Sequence, residues 1–261
     1  MSYQLQNFIA RLAVDPFFYN SYKSERESTC REMGLSVDEI NSAMNLDLDS
    51  FEVFKKVIQG SRGRQFELYL PQTRALVTDK NWGELLQRFH NETLIATSKN
   101  LADLYAFCLW LAEEFPNSQL SDLALYEYSL CSLTMPNMLQ YRKTYPFTQV
   151  DQYALKERHC LLMTTHHIND LTSTHYHTVL MSSINITPCF FILRENEIEK
   201  NIDIIELDRT TYLILHYLIK PRTRQQLMSV FDWDCDKTQE AILELLDAGL
   251  LTQINEPVLC L

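Results

Sequence analysis

The sequence predicts an α+β protein: a helical N-terminal domain over residues 1–135, a connection over 136–150, and a domain of strands followed by three short helices over 151–261. Three observations predict it. Helix caps and apolar residues at helical spacing fill the first half. Two prolines, Pro136 and Pro146, bracket a stretch with no helical period. Beyond it come runs rich in β-branched and aromatic residues.

The helices can be justified in order. In DPFFYNSYKS, Asp15 is an N-cap and Pro16 takes the first helical position, where a fixed φ suits the helix and no N–H is needed. Gly34 stops a helix, and Ser36 with Glu39 forms an S-x-x-E capping box for the next. In DSFEVFKKVIQGSRGRQFELYL, apolar residues recur at Phe51, Phe54, Val57 and Ile58, then at Phe66, Leu68 and Leu70. Between them QGSRGRQ, residues 59–65, reads as a solvated basic turn interrupting the helix, or as an anion or partner contact. Three more helices follow, around NWGELLQRFHNE, KNLADLYAFCLWLAEEF with Ser98 as its cap, and SDLALYEYSLCSL. Leu101, Leu104, Tyr105, Cys108 and Leu111 have the spacing of one buried stripe. After the prolines, RHCLLMTTHH, HYHTVLMSS, PCFFILREN and NIDIIELD read as strands. RTTYLILHYLI, RTRQQLMSVF and DKTQEAILELLDA then read as helices, with Gly249 ending the last.

Composition narrows the function classes. A net charge of -11 argues against non-specific nucleic-acid binding and against acidic membrane surfaces. The seven cysteines are scattered without a C-x-x-C pair, so neither a zinc ribbon nor a disulfide framework is indicated, and a reducing cytoplasm is expected. No signal-peptide core and no long apolar run stand in the sequence. Only five glycines are present and no G-x-S-x-G, which excludes a Gly-rich phosphate loop and a nucleophile elbow.

The C-terminal order, strands and then three helices ending in LLDAGLLTQ, describes a winged-helix-like module. A DNA reader needs a basic surface, yet residues 201–261 carry five Lys and Arg against ten Asp and Glu, and the third helix is acidic. A transcriptional regulator is thereby the lesser reading. IDIIELDRTTYLILHYLIKPRTRQQLMSVFDWDCDKTQEAILELLDAGLLTQI resembles the peptide-binding fold named after PqqD. The first half adds LPQTRALV, the Trp82 helix and the acidic DLALYEY helix. With those pieces the chain resembles the MbnC-like partner subunits encoded beside iron-dependent DUF692-type (MbnB-like) oxygenases in methanobactin and other ribosomal-peptide pathways. The resemblance covers nearly the whole chain and keeps the domain order.

The resemblance implies a 1:1 heterodimer whose other subunit holds non-haem iron. That subunit would oxidise cysteines of a precursor peptide with dioxygen, giving an oxazolone and a thioamide in the methanobactin case. This chain would bind the precursor's leader and supply no metal ligand. A leader adding as a strand beside 201–208 would meet Ile202, Ile204 and Glu206, with Thr238, Ile242 and Leu245 of the third helix lining the groove. The alternative for Ile242 and Leu245 is the core.

Five of the seven histidines lie between His159 and His177, and His175 and His177 share one strand face. A metalloenzyme would need a third ligand fixed by spacing, which the strand lacks. Contact with the partner subunit and plain structure are the other readings. Arg74, in an apolar stretch after Pro71, needs a partner for its charge, either an internal ion pair or a group in the partner's cleft.

Overall fold

The computed structural model describes residues 2–93, 100–134, 152–156, 158–167, 188–196 and 199–254. They hold twelve helices and two antiparallel three-stranded sheets, with helices alone in the N-terminal part and all strands in the C-terminal part. The chain divides into two compact units, Met1–Pro116 and Asn117–Leu261.

Eight helices build the first unit: α1 (Tyr3–Val14), α2 (Pro16–Ser24), α3 (Arg26–Glu32), α4 (Val37–Met44), α5 (Leu48–Tyr69), α6 (Pro71–Ala75), α7 (Asp79–Glu92) and α8 (Asn100–Glu114). Their ends follow the expected capping chemistry. Asp15 accepts from the Phe18 N–H at 2.9 Å, and Ser36 and Glu39 form the reciprocal box. Gly34 takes a φ of +70°, a left-handed turn that glycine adopts without a Cβ clash.

Packing within this unit is largely aromatic. Phe8 lies edge-on to Phe18 at 5.6 Å and to Tyr22 at 5.3 Å, and Leu12, Tyr19 and Phe51 join the same core. Farther along α5, Phe66 stacks on Phe107 of α8 at 4.9 Å, with Phe89, Trp82 and Trp110 around it. Fully burying each such ring contributes about 2–3 kcal/mol. Leu101, Leu104, Cys108 and Leu111 of the expected stripe are buried, whereas Tyr105 is 44 % exposed. The expected turn at QGSRGRQ is instead the uninterrupted middle of α5. Glycine lowers helix propensity by only about 1 kcal/mol, and packing at both ends of α5 overrides that.

The second unit holds α9 (Gln119–Thr134), β1 (Gln152–Leu155), β2 (His159–Thr164), β3 (Cys189–Glu195), β4 (Ile202–Leu207), α10 (Arg209–Tyr217), β5 (Arg222–Thr223), α11 (Arg224–Phe231), α12 (Cys235–Asp247) and β6 (Leu251–Ile254). The strand orders are β5-β1-β6 and β2-β3-β4. The β2-β3-β4 sheet is a middle layer, as the period-two alternation of side chains allows. Leu162, Phe191 and Leu193 on one face pack with Leu123, Tyr126 and Leu133 of α9. Leu161, Ile192, Ile205 and Leu207 on the other pack with Ile214, Leu227, Ile242 and Leu245 of α10–α12. The sequence grouped α9 with the helical domain ending at 135. The compact units divide at Pro116, because α9 covers a sheet face that would otherwise meet water.

Candidate functional site

β4 ends its sheet, and among the described residues nothing pairs with its outer side. Which main-chain groups face outward follows from the register. β3 and β4 are antiparallel, with Leu193 opposite Ile204 and Ile192 opposite Ile205. Just beyond the strand ends, Asn196 N–H donates to Asn201 C=O at 2.8 Å, so this pair is hydrogen-bonded across the ladder. Antiparallel pairing alternates bonded and non-bonded pairs. Arg194 with Asp203, Ile192 with Ile205 and Phe190 with Leu207 are then the bonded pairs. The N–H and C=O groups of Ile202, Ile204 and Glu206 therefore point away from β3, to the open edge. Glu195 N–H points the other way, toward Arg158 C=O, as the same alternation requires.

The side chains of these three residues share the α9-facing side of the sheet but differ in exposure. Ile202 is partly buried against the α9 cluster, Ile204 is 40 % exposed, and Glu206 is exposed. Beside them, Asp203 pairs with Arg194 at 3.3 Å, and Arg194 Nη1 donates to the Ala248 carbonyl at the end of α12 at 3.0 Å. Asp208, just past the strand, caps α10. Hydrogen bonds from Thr211 and Thr210 hold its carboxyl below the usual carboxylate range, so the end of the edge stays anionic.

Thr238, Ile242 and Leu245 do not line this edge as the sequence suggested. They are 1 %, 2 % and 8 % exposed, with both apolar residues in the core under the sheet. Thr238 Oγ1 donates to the Asp234 carbonyl at 2.7 Å, so even its hydroxyl is used within α12. The stripe is the core face of an amphipathic helix.

Two histidines of the cluster have internal roles. His166 Nδ1 lies 2.8 Å from Asp122 Oδ2 of α9, which also accepts from the N–H groups of Thr165 and His166 and from Thr165 Oγ1. That buried carboxylate ties the end of β2 to α9 and keeps the ring proton on Nδ1. His167 stands edge-on to Phe191 at 5.4 Å with Nε2 3.2 Å from the Glu206 carboxylate. It reaches the open strand from across β3. His175 and His177 lie outside the described residues. Among the described residues, no three His, Cys, Asp or Glu side chains converge to hold a metal ion. The thiol of Cys160 is pushed up by burial, which disfavours the nucleophilic thiolate.

Arg74 has its partners within the chain: Asp79, Glu67 at 3.5 Å, the Val77 carbonyl at 2.8 Å and the face of Trp82 at 5.5 Å. The internal ion pair accounts for its place in an apolar stretch. Among the described residues no helix is long and apolar enough to cross a membrane. The feature that sequence reasoning missed is the alternation of backbone groups along β4. Side-chain alternation was legible, but the side on which β3 pairs carries no sequence signal. The sequence matches no model of a known protein family and no curated protein.

Proposed function

We propose that this chain is the non-catalytic, peptide-recruiting subunit of an iron-dependent oxygenase that modifies cysteines of a ribosomally made peptide. The open edge of β4 receives the leader of that peptide as a fourth strand. The reading is carried by one observation: three successive edge positions, Ile202, Ile204 and Glu206, turn their main-chain donors and acceptors outward on a strand that nothing described covers. It is supported by the winged-helix-like order of α10, β5, α11, α12 and β6 behind the sheet, with β1 between the two strands. The exposed carboxylates Glu199, Glu206 and Asp208 suit a leader bearing Lys or Arg and argue against a nucleic acid. Iron and the oxidation belong to a second subunit in a 1:1 heterodimer, with no metal ligand from this chain.

The experiment compares two proline variants. Ile204→Pro removes an outward donor, whereas Ile205→Pro removes one that holds β3, so only the latter should unfold the sheet. Leader binding by calorimetry to a folded Ile204→Pro variant should weaken about tenfold, and Ile204→Ala should change it much less. The proposal predicts a short Cys-containing peptide encoded beside this gene, and its leader is the ligand to titrate. Undiminished affinity in folded Ile204→Pro would place the leader elsewhere.

A further inference from the structure

The helical unit holds two adjoining hollows that no part of the proposed function uses. One is an apolar crevice of about 360 Å³ between α1 and α5, walled by Ile9, Ala10, Ala13, Val14, Phe54 and Ile58. A cavity of this size is at the lower end of the ~300–1,000 Å³ of small-molecule sites. The second is a polar recess of about 10 Å³, room for one water-sized group, lined by Lys55, Gln59, Arg62 and His90. The two share Ala13, Val14 and Arg62 as walls.

The recess is chemically selective. His90 is 5 % exposed, and neither ring nitrogen has a hydrogen-bond partner, which is costly for a buried polar ring. The Gln59 backbone favours a protonated ring without reaching hydrogen-bond geometry. Lys55 is partly desolvated, its ammonium 3.8 Å from the Tyr19 ring centre, and burial lowers its pKa despite the nearby Glu52. Arg62 pairs through Nε with the buried Asp103 at 3.3 Å. Neither hollow has a carboxylate among its lining residues, although the chain carries a net charge of -11. A recess that presents the Lys55 ammonium and an unmet imidazole donor, at the end of an apolar crevice, is complementary to an anionic head on an aliphatic tail.

We infer that the α1–α5 crevice binds a medium-chain carboxylate, its tail along Ile9, Ala13, Phe54 and Ile58 and its head at Lys55, Arg62 and His90. Gln6 and Ala13 bound the crevice on α1; seven residues of helix span ~10 Å, the reach of an extended chain of roughly eight carbons. The recess has room for one carboxylate oxygen, and the other stays at its mouth, where the two hollows share Arg62.

Octanoate is the probe, titrated calorimetrically into the full chain beside acetate and 1-octanol. Octanoate should bind 1:1, and acetate and octanol each at least about tenfold more weakly, since each lacks one half of the complementarity. Lys55→Gln and Ala10→Phe should each weaken octanoate about tenfold, the first at the head and the second by filling the crevice. Lys55 is only partly buried and Ala10 is exposed, so both variants should keep the parent's circular dichroism melt. Octanol binding as well as octanoate, octanoate binding unchanged in folded Lys55→Gln and Ala10→Phe, or no octanoate heat at all would overturn the inference. Leader binding at β4 is measured separately, so failure of one reading leaves the other standing.

Discussion

His90 shows how a single buried side chain couples to pH. Burial, with a smaller contribution from the charge of Arg62, lowers its pKa from 6.5 to about 4. The folded state thus holds a neutral ring where the unfolded chain would take up a proton. A lowered pKa gives stability that is fully present above about 6.5 and drains away as the pH falls toward about 4. The shift corresponds to ~3 kcal/mol over that window. Between pH 7 and pH 4 the parent should therefore lose ~3 kcal/mol more unfolding free energy than His90→Leu, read from urea denaturation at each pH. Equal losses would mean that the ring reaches water in the native state. The comparison of the two proteins removes the effect of every other titrating group they share. No sequence pattern pointed to His90, because a histidine in NWGELLQRFHNE looks like any other polar position in a helix. Asp15 and Ser36 were legible, since a cap acts on backbone groups within three residues of itself.

At the scale of the element, α5 separates what propensity demands from what packing permits. Gly60 lies in the helix interior, exposed, and a Cβ there would meet nothing within 4 Å. Gly60→Ala should raise stability by ~1 kcal/mol through helix propensity. At Gly63 a Cβ would lie 2.8 Å from Leu86 Cδ1 of α7. The leucine end can swing aside, so Gly63→Ala should gain less than Gly60→Ala, and Gly63→Val should lose stability outright. Midpoints of urea denaturation for the three variants check the order. The sequence led to a turn at these glycines because glycine and basic residues cluster there; the helix persists because Phe51 and Phe66 anchor it on both sides of them. β4 makes the complementary point. Its residues were recognisable as a strand, yet the exposure of Ile204 and the burial of Ile242 depend on which neighbour covers which face.

For the whole molecule, the consequential difference lies in α9. Leu123, Tyr126 and Leu133 of α9 pack on Leu162, Phe191 and Leu193 of the sheet, and Asp122 holds the backbone of Thr165 and His166. A fragment beginning at Asn117 should therefore melt cooperatively. One beginning at residue 136 should expose Leu162, Phe191 and Leu193 and aggregate, as circular dichroism and light scattering would report. A cooperative melt of the shorter fragment would show that α9 is dispensable to the sheet.

The sequence by itself determined the local features: the capped helices, the run of aromatic positions in the first unit, the strand character of residues 159–164, 189–195 and 202–207, and the acidic surface. Each depends on chemistry among residues close in the chain or on a sum over all of them. Only the tertiary structure decided that α9 joins the strands, that Thr238, Ile242 and Leu245 are core, and that the main-chain groups of Ile202, Ile204 and Glu206 face away from β3. A main-chain donor is the same group in every residue. Which way it faces is set by the strand that pairs with it, and that is a property of the assembled sheet.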